Sequence, residues 1–228
     1  MEISVGDPIR HRDSLFSYKC NICNKCCHGK GIQVNPYETM RLAECLTIST
    51  TDFREKYLYH QFLRFKENSD ACVFLDEKGC TVHKDRPLSC RLYPLGRARL
   101  ENDEEVFIEV TPHPESKGEY GQELTVDTYL KGQGTEPYLK AEKAYLEVVQ
   151  RMAAAALEMT EKYDPDNMIN QPAESNADWI LDPDPVVMNY CKWKNIKFPS
   201  GTEHKLEIHL KALYAWVDGE WDPLAPGL

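Results

Sequence analysis

Cys20-Asn21-Ile22-Cys23-Asn24-Lys25-Cys26-Cys27 decides how this chain is read. Four thiols stand within eight residues, and eight of the nine cysteines lie between Cys20 and Cys90, all but Cys45 in two groups. Independently buried cysteines have no need of a repeated two-residue gap, whereas a C-x2-C-x2-C loop lets three sulfurs turn to one centre. Thiolates are soft ligands that select zinc, copper(I) or an iron–sulfur cluster. The segment therefore reads as part of a thiolate metal site that needs help from elsewhere. Cys26 and Cys27 are adjacent, and adjacent side chains tend to point apart. One faces the loop's metal, and the other faces a second centre or the core.

The outside donors come from a second group: Cys72, Cys80, His83 and Cys90. Cys80-x2-His83 sets a thiolate near an imidazole, and Cys90 follows seven residues after His83. Two ligand counts stand open. An iron–sulfur cubane takes four cysteines, which Cys20, Cys23, Cys26 and a remote thiol such as Cys90 supply. Structural zinc takes four ligands per ion, so seven cysteines with His83 furnish two closed sites. For His83 alone, a hydrogen-bonded role outweighs ligation. Cys45 reads as a buried helix residue and Cys191 as a small apolar filler. Arg86 and Arg91 flank Cys90, where guanidinium groups lower the cost of gathering negative sulfurs and donate hydrogen bonds around them.

The chain has 228 residues, enough to bury a core without cysteine staples. A net charge of −10 and a pI near 5.2 argue against a broad phosphate-binding face, so no nucleic-acid partner is expected. The one small basic patch to consider surrounds Arg86, Arg91, Arg97 and Arg99. The longest apolar run, Met152 to Leu157, is far short of the roughly 20 residues that span a bilayer. The first residues lack a basic-then-apolar leader pattern. The expected compartment is the cytoplasm, where thiols stay reduced, and nine is an odd number for complete pairing.

The pattern of elements predicts an α+β protein. A cysteine-rich, metal-centred domain with short strands occupies residues 1–96, and a mostly helical extension of unassigned role occupies 97–228. Residues 1–18 read as a loose lead-in. Asn35-Pro36 starts a helix carrying Met40, Leu42, Ala43 and Leu46, since Asn caps and Pro suits the first helical position. A second short helix is expected to start near Thr51 or Asp52. Cys72–Leu75 and Cys80–His83 read as strands around a turn at Gly79, and 85–91 as a tight connection shaped by Pro87. Glu105–Val110 has strand composition, and 111–135 and 164–185 read as loops. The longest helix is expected from Pro137 to Lys162, with Tyr138, Ala141, Tyr145, Val148, Val149, Met152, Ala156 and Met159 on one side. A last helix runs from Glu203 to Val217.

The two cysteine groups together resemble the YkgJ-type family of cysteine-cluster, zinc- or iron-chelating proteins. The likeness rests on Cys20, Cys23, Cys26 and Cys27, then Cys72-Val73-Phe74-Leu75. It closes on Cys80-Thr81-Val82-His83-Lys84-Asp85-Arg86-Pro87-Leu88-Ser89-Cys90-Arg91-Leu92-Tyr93-Pro94, so that it covers about residues 16–96. The resemblance implies that all seven cysteines form the metal-binding set. Relatives often carry Tyr where His83 stands. The flagellin lysine N-methylases carry a similar cluster, which implies methyl-transfer-like modification of a protein or peptide as one use.

No phosphate-binding Gly loop, G-x-S-x-G elbow or C-x3-C-x2-C run is present. Asp182-Pro183-Asp184 reads as solvated loop acids, and the four tryptophans as packing. Two functions follow. One is an iron–sulfur protein, with a 4Fe-4S centre favoured, supporting redox or modification chemistry. The other is a zinc-stabilised interaction module without catalysis, with closed coordination and no adjacent pocket.

Overall fold

The computed structural model describes residues 9–100, 102, 104–161 and 177–223. Helices and short strands are mixed along the chain. Contacts gather it into two units, each of two stretches: 1–34 with 57–139, and 35–56 with 140–228. Residue 96, where the cysteine motif ends, lies inside a strand of the first unit.

In the first unit, part of the expected lead-in is ordered as β1 (Ile9–Arg10) and β2 (Leu15–Lys19). β1 pairs antiparallel with β8 (Glu105–Glu109), which pairs antiparallel with β7 (Leu95–Arg99). Val106, Phe107 and Ile108 of β8 are all buried, so this central strand anchors the unit. β2 pairs with β9 (Glu119–Thr125), placing Phe16 in the core. β9 and the helix α4 (Val126–Gly132) occupy a stretch read as loop. β9 is mostly exposed and polar, so backbone pairing with β2 holds it rather than an alternating apolar face. α4 spans only seven residues, too short for a periodic pattern, and is capped by the Thr125 hydroxyl, which accepts from Thr128 N at 3.2 Å. Two small hairpins complete the unit: β3 (Leu58–Tyr59) with β4 (Phe62–Leu63), and β5 (Leu75–Asp76) with β6 (Gly79–Cys80). The turn between β5 and β6 uses Gly79 at φ +116°, a backbone state that side chains resist. The expected strand Cys80–His83 is shorter than foreseen, because His83–Asp85 turns into a 3-10 helix.

In the second unit, α1 (Pro36–Leu46) begins as expected. Asn35 accepts from Glu38 N, and the Glu38 carboxylate accepts from Asn35 N, closing a capping box. α2 (Thr50–Tyr57) starts on two acids from far along the chain. Thr50 N donates to Asp184 at 2.8 Å, and the Thr50 and Thr51 hydroxyls donate to Asp182 at 2.5 and 2.6 Å. Asp182 and Asp184 are thus a helix anchor rather than solvated acids. α5 (Glu136–Glu161) is the long helix, although Val149 and Ala156, expected on its apolar side, are exposed. The expected position of the Met159 side chain lies outside the described residues. α6 (Pro183–Lys194) packs on α7 (Thr202–Val217) through Val186, Val187, Tyr190, Cys191, Ile208 and Ala212. The start of α6 lies in a stretch read as loop, where Pro at the first helical position disguises a helix as a turn. Trp193 stacks on Trp221, with Trp179 and Trp216 packed beside this core.

His209 of α7 is fully buried and bonded through Nδ1 to the Tyr145 hydroxyl at 2.8 Å. Burial pushes its pKa down to about 3, and the Ile180 backbone opposes this only weakly. The folded form therefore holds a neutral imidazole, while an unfolded chain takes up a proton below its ordinary value near 6.5. Stability is lost as pH falls from about 6.5 towards about 3, at up to ~1.4 kcal/mol per pH unit. Urea unfolding at pH 7 and pH 5 should show a larger drop in the parent than in His209→Gln. An equal drop in both would exclude His209 as the source.

Candidate metal centre

The loop between β2 and α1 turns sharply because Ile22 and Asn24 adopt left-handed backbone, at φ 50° and 62°. Lys25–Cys27 then form one 3-10 turn, closed by Cys27 N donating to Asn24 O at 3.0 Å. The second cysteine segment is tied directly to this turn. Cys72 N donates to Cys27 O at 2.8 Å, Gly29 N donates to Asp70 O at 2.9 Å, and His28 Nδ1 meets Asp70 at 2.9 Å. Gly79 lies against Asn24 and Ile22, bringing the hairpin that ends in Cys80 onto the same loop. The third segment runs through Pro87 into α3 (Leu88–Leu92), which carries Cys90. This short helix replaces the expected plain connection, since Pro87 at its start presets the entry angle.

These segments wall one cavity of about 140 Å³. Cys20, Cys26, Cys27, Cys72, Cys80 and Cys90 line it, with His83 and Arg86. Cys23 is not in the wall, and its sulfur accepts from Lys117 N at 3.5 Å. None of the nine cysteines forms a disulfide. Among the described residues no three Cys, His, Asp or Glu side chains make a ready single-ion site. The thiols ring a space rather than meet at a point. Cys45 is exposed on α1 rather than buried, whereas Cys191 is buried in the second unit.

Sulfurs this close influence one another. Cys26 and Cys27 Sγ are 3.9 Å apart. A hydrogen bond from Cys27 lowers the Cys26 pKa, with Lys30 and Arg86 adding to the effect, and the same bond with burial raises that of Cys27. Backbone N–H groups of Lys117 and Lys25 lower Cys23. Burial raises Cys72 and Cys80, opposed by the Phe74 and Val82 backbones. His83 stands at the exposed rim, where partial burial and then Arg86 and Arg91 favour the neutral imidazole that metals bind.

The two arginines differ. Arg86 faces the cavity while donating to His83 O at 2.8 Å and to Gln133 Oε1 at 2.7 Å. Arg91 is buried and not in the wall. It donates to Arg86 O at 2.9 Å, Gln133 O at 2.8 Å, Tyr138 Oη at 2.9 Å and also Lys84 O. It builds the turn that presents Cys90 rather than touching the sulfurs. Arg97 is paired with Glu105 at 2.6 Å, so these cations are engaged internally rather than spread as a basic surface.

Sequence reasoning missed Tyr18, Lys30, Tyr93 and Tyr129, which line the cavity from β2, the first cysteine loop, the end of α3 and α4. Tyr93 alone had a sequence cue, at the end of the closing cysteine motif. Its Oη is buried without a hydrogen bond of normal geometry, a donor left over at the wall. A Cβ on Gly118 would run into the Tyr18 ring, so glycine there lets the chain entering β9 pass the tyrosine. Six soft thiols, a neutral imidazole and a spare donor suit a thiolate-bound metal or cluster.

Residues 19–112 match the family model of the CxxCxxCC type, described as a "putative zinc- or iron-chelating domain". The match supports metal chelation by the cysteine cluster and leaves the choice between zinc and iron open. No curated protein and no solved structure matches the chain. No helix among the described residues is long and apolar enough to cross a membrane.

Proposed function

We propose that the chain holds an iron–sulfur centre, with four irons favoured, on ligands drawn from Cys20, Cys23, Cys26, Cys27, Cys72, Cys80 and Cys90, and uses it in redox or modification chemistry on a protein or peptide. The observation that supports this reading is the ring of six thiols from three segments around one cavity. At about 140 Å³ the cavity approaches the ~150 Å³ of an engineered cavity that admits benzene, far more room than one ion needs. A polynuclear centre with space beside it suits that volume better than closed, single-ion coordination. Such a centre supplies electron transfer, tuned by hydrogen bonds to its sulfurs and by solvent access.

The chain's own residues do the rest. Arg86 and Lys30 face the sulfurs with positive charge, and Tyr18, Tyr93 and Tyr129 give the cavity an aromatic wall able to seat a side chain of a peptide substrate. A cytoplasmic setting keeps the thiols reduced and ready. Methyl-transfer-like modification, as in the flagellin lysine N-methylases, is the enzymatic form of this reading. The zinc reading draws on His83, which together with the cysteines makes a donor set that zinc also takes.

Purification without oxygen, followed by an absorption spectrum and elemental analysis, separates the two. A broad band near the visible–ultraviolet boundary with iron and acid-labile sulfide is expected. Stoichiometric zinc in a colourless protein would end the iron–sulfur reading.

A further inference from the structure

We propose that Lys30 is the countercharge of the thiolate centre, held over the Tyr93 ring with its ammonium turned to the sulfurs; this rests on the metal-binding reading above. Lys30 lines the cysteine cavity and is partly buried there. Its Nζ sits 3.9 Å from the centre of the Tyr93 ring, a cation–π contact that fixes a side chain otherwise free to reach solvent. Among the described residues no carboxylate pairs with it and no hydrogen-bond acceptor engages it. Burial lowers the Lys30 pKa, and Cys26, Cys90 and Cys27, two from the first loop and one from α3, oppose that by favouring the charged form.

The neighbouring cations are committed differently. The Arg86 fork is spent on His83 O and Gln133, and Arg91 on backbone carbonyls and Tyr138. Among the described residues of the wall, Lys30 brings three donors with none spoken for. Four thiolates around a dication leave a net charge of about −2 at the site, and an iron–sulfur centre bound by thiolates is likewise anionic. A buried anion needs a nearby positive charge. Lys30 meets that need from a loop three residues beyond Cys27.

The metal-loaded parent, Lys30→Met and Lys30→Arg are challenged without oxygen by a series of EDTA concentrations, and retained metal is measured by elemental analysis. Lys30→Met should lose its metal at about tenfold lower chelator, the scale of outer-shell changes, while Lys30→Arg stays within about threefold of the parent. Where the centre is iron–sulfur, Lys30→Met should shift the one-electron reduction equilibrium about tenfold towards the oxidised form, a fall of ~59 mV, and Lys30→Arg should restore it. Lys30→Met behaving as the parent overturns the countercharge. Equal losses in both variants overturn it too, since they assign the effect to packing on Tyr93 rather than to charge. A parent that carries no metal overturns the metal-binding reading itself, and the countercharge with it.

Discussion

Cys26→Ser should cost the protein at least about nine-tenths of its metal at a fixed chelator level, while Cys191→Ser leaves metal content unchanged. The contrast follows from where the two sulfurs lie. Cys26 stands in the cavity wall 3.9 Å from Cys27, and its neighbours favour the thiolate that a metal requires. Cys191 is buried between α6 and α7, in the second unit, with its thiol near Lys197 O at 3.8 Å. Because metal binding free energy is folding free energy, removing the metal should act locally as well. Chelation should speed proteolysis of the Cys20–Cys27 loop and hydrogen exchange of Cys72 N, which is bonded to Cys27 O. Full metal content in Cys26→Ser would remove that residue from the ligand set, and unchanged proteolysis on chelation would detach the metal from the fold.

Arg91→Met should lower unfolding stability by about 3–5 kcal/mol, because one buried guanidinium serves four acceptors. Removing the donors strands the carbonyls of Lys84, Arg86 and Gln133, and each unsatisfied buried group costs roughly 1–3 kcal/mol. Arg91 is 7 % exposed, so water does little to compensate. It also lies on the Tyr138 ring, 4.4 Å from its centre, and Met fills the volume without replacing the charge–ring contact. Lys is no remedy, since an ammonium cannot reach a fan of acceptors that suits a planar fork. Thermal unfolding should show a fall of roughly 10 °C for a chain of this size. A loss under about 1 kcal/mol in denaturant titration would show that the carbonyls find other donors.

Local chemistry made the legible parts of the fold legible. Asn35-Pro36 announces α1 because a cap and a preset φ act within four residues. The cysteine spacing announces a common site because the chemistry is written in residue type. β9 and β1 were hidden because their hold is backbone pairing with strands about a hundred residues away, which leaves no periodic trace. α3 and α4 were hidden by their brevity. Arg91 was legible as important but not as a scaffold residue, since its acceptors on 84, 86 and 133 converge only in three dimensions. Lys30 and the tyrosines of the cavity were illegible for the same reason. Asp182 and Asp184 passed as solvated acids until α2 supplied the donors they hold.

The discontinuous make-up of the first unit sets an order on its birth. The seven clustered thiols are all synthesised by residue 90, yet the partner strand of β2 ends at Thr125, and Gln133, which holds Arg86 and Arg91, comes later still. A nascent chain therefore carries its sulfurs unsheltered for some forty residues of synthesis, at a rate of about 5–20 residues per second, or roughly two to eight seconds. Metal or cluster loading belongs after that interval, once the walls have closed around the thiols, and any oxidant present during it meets them bare.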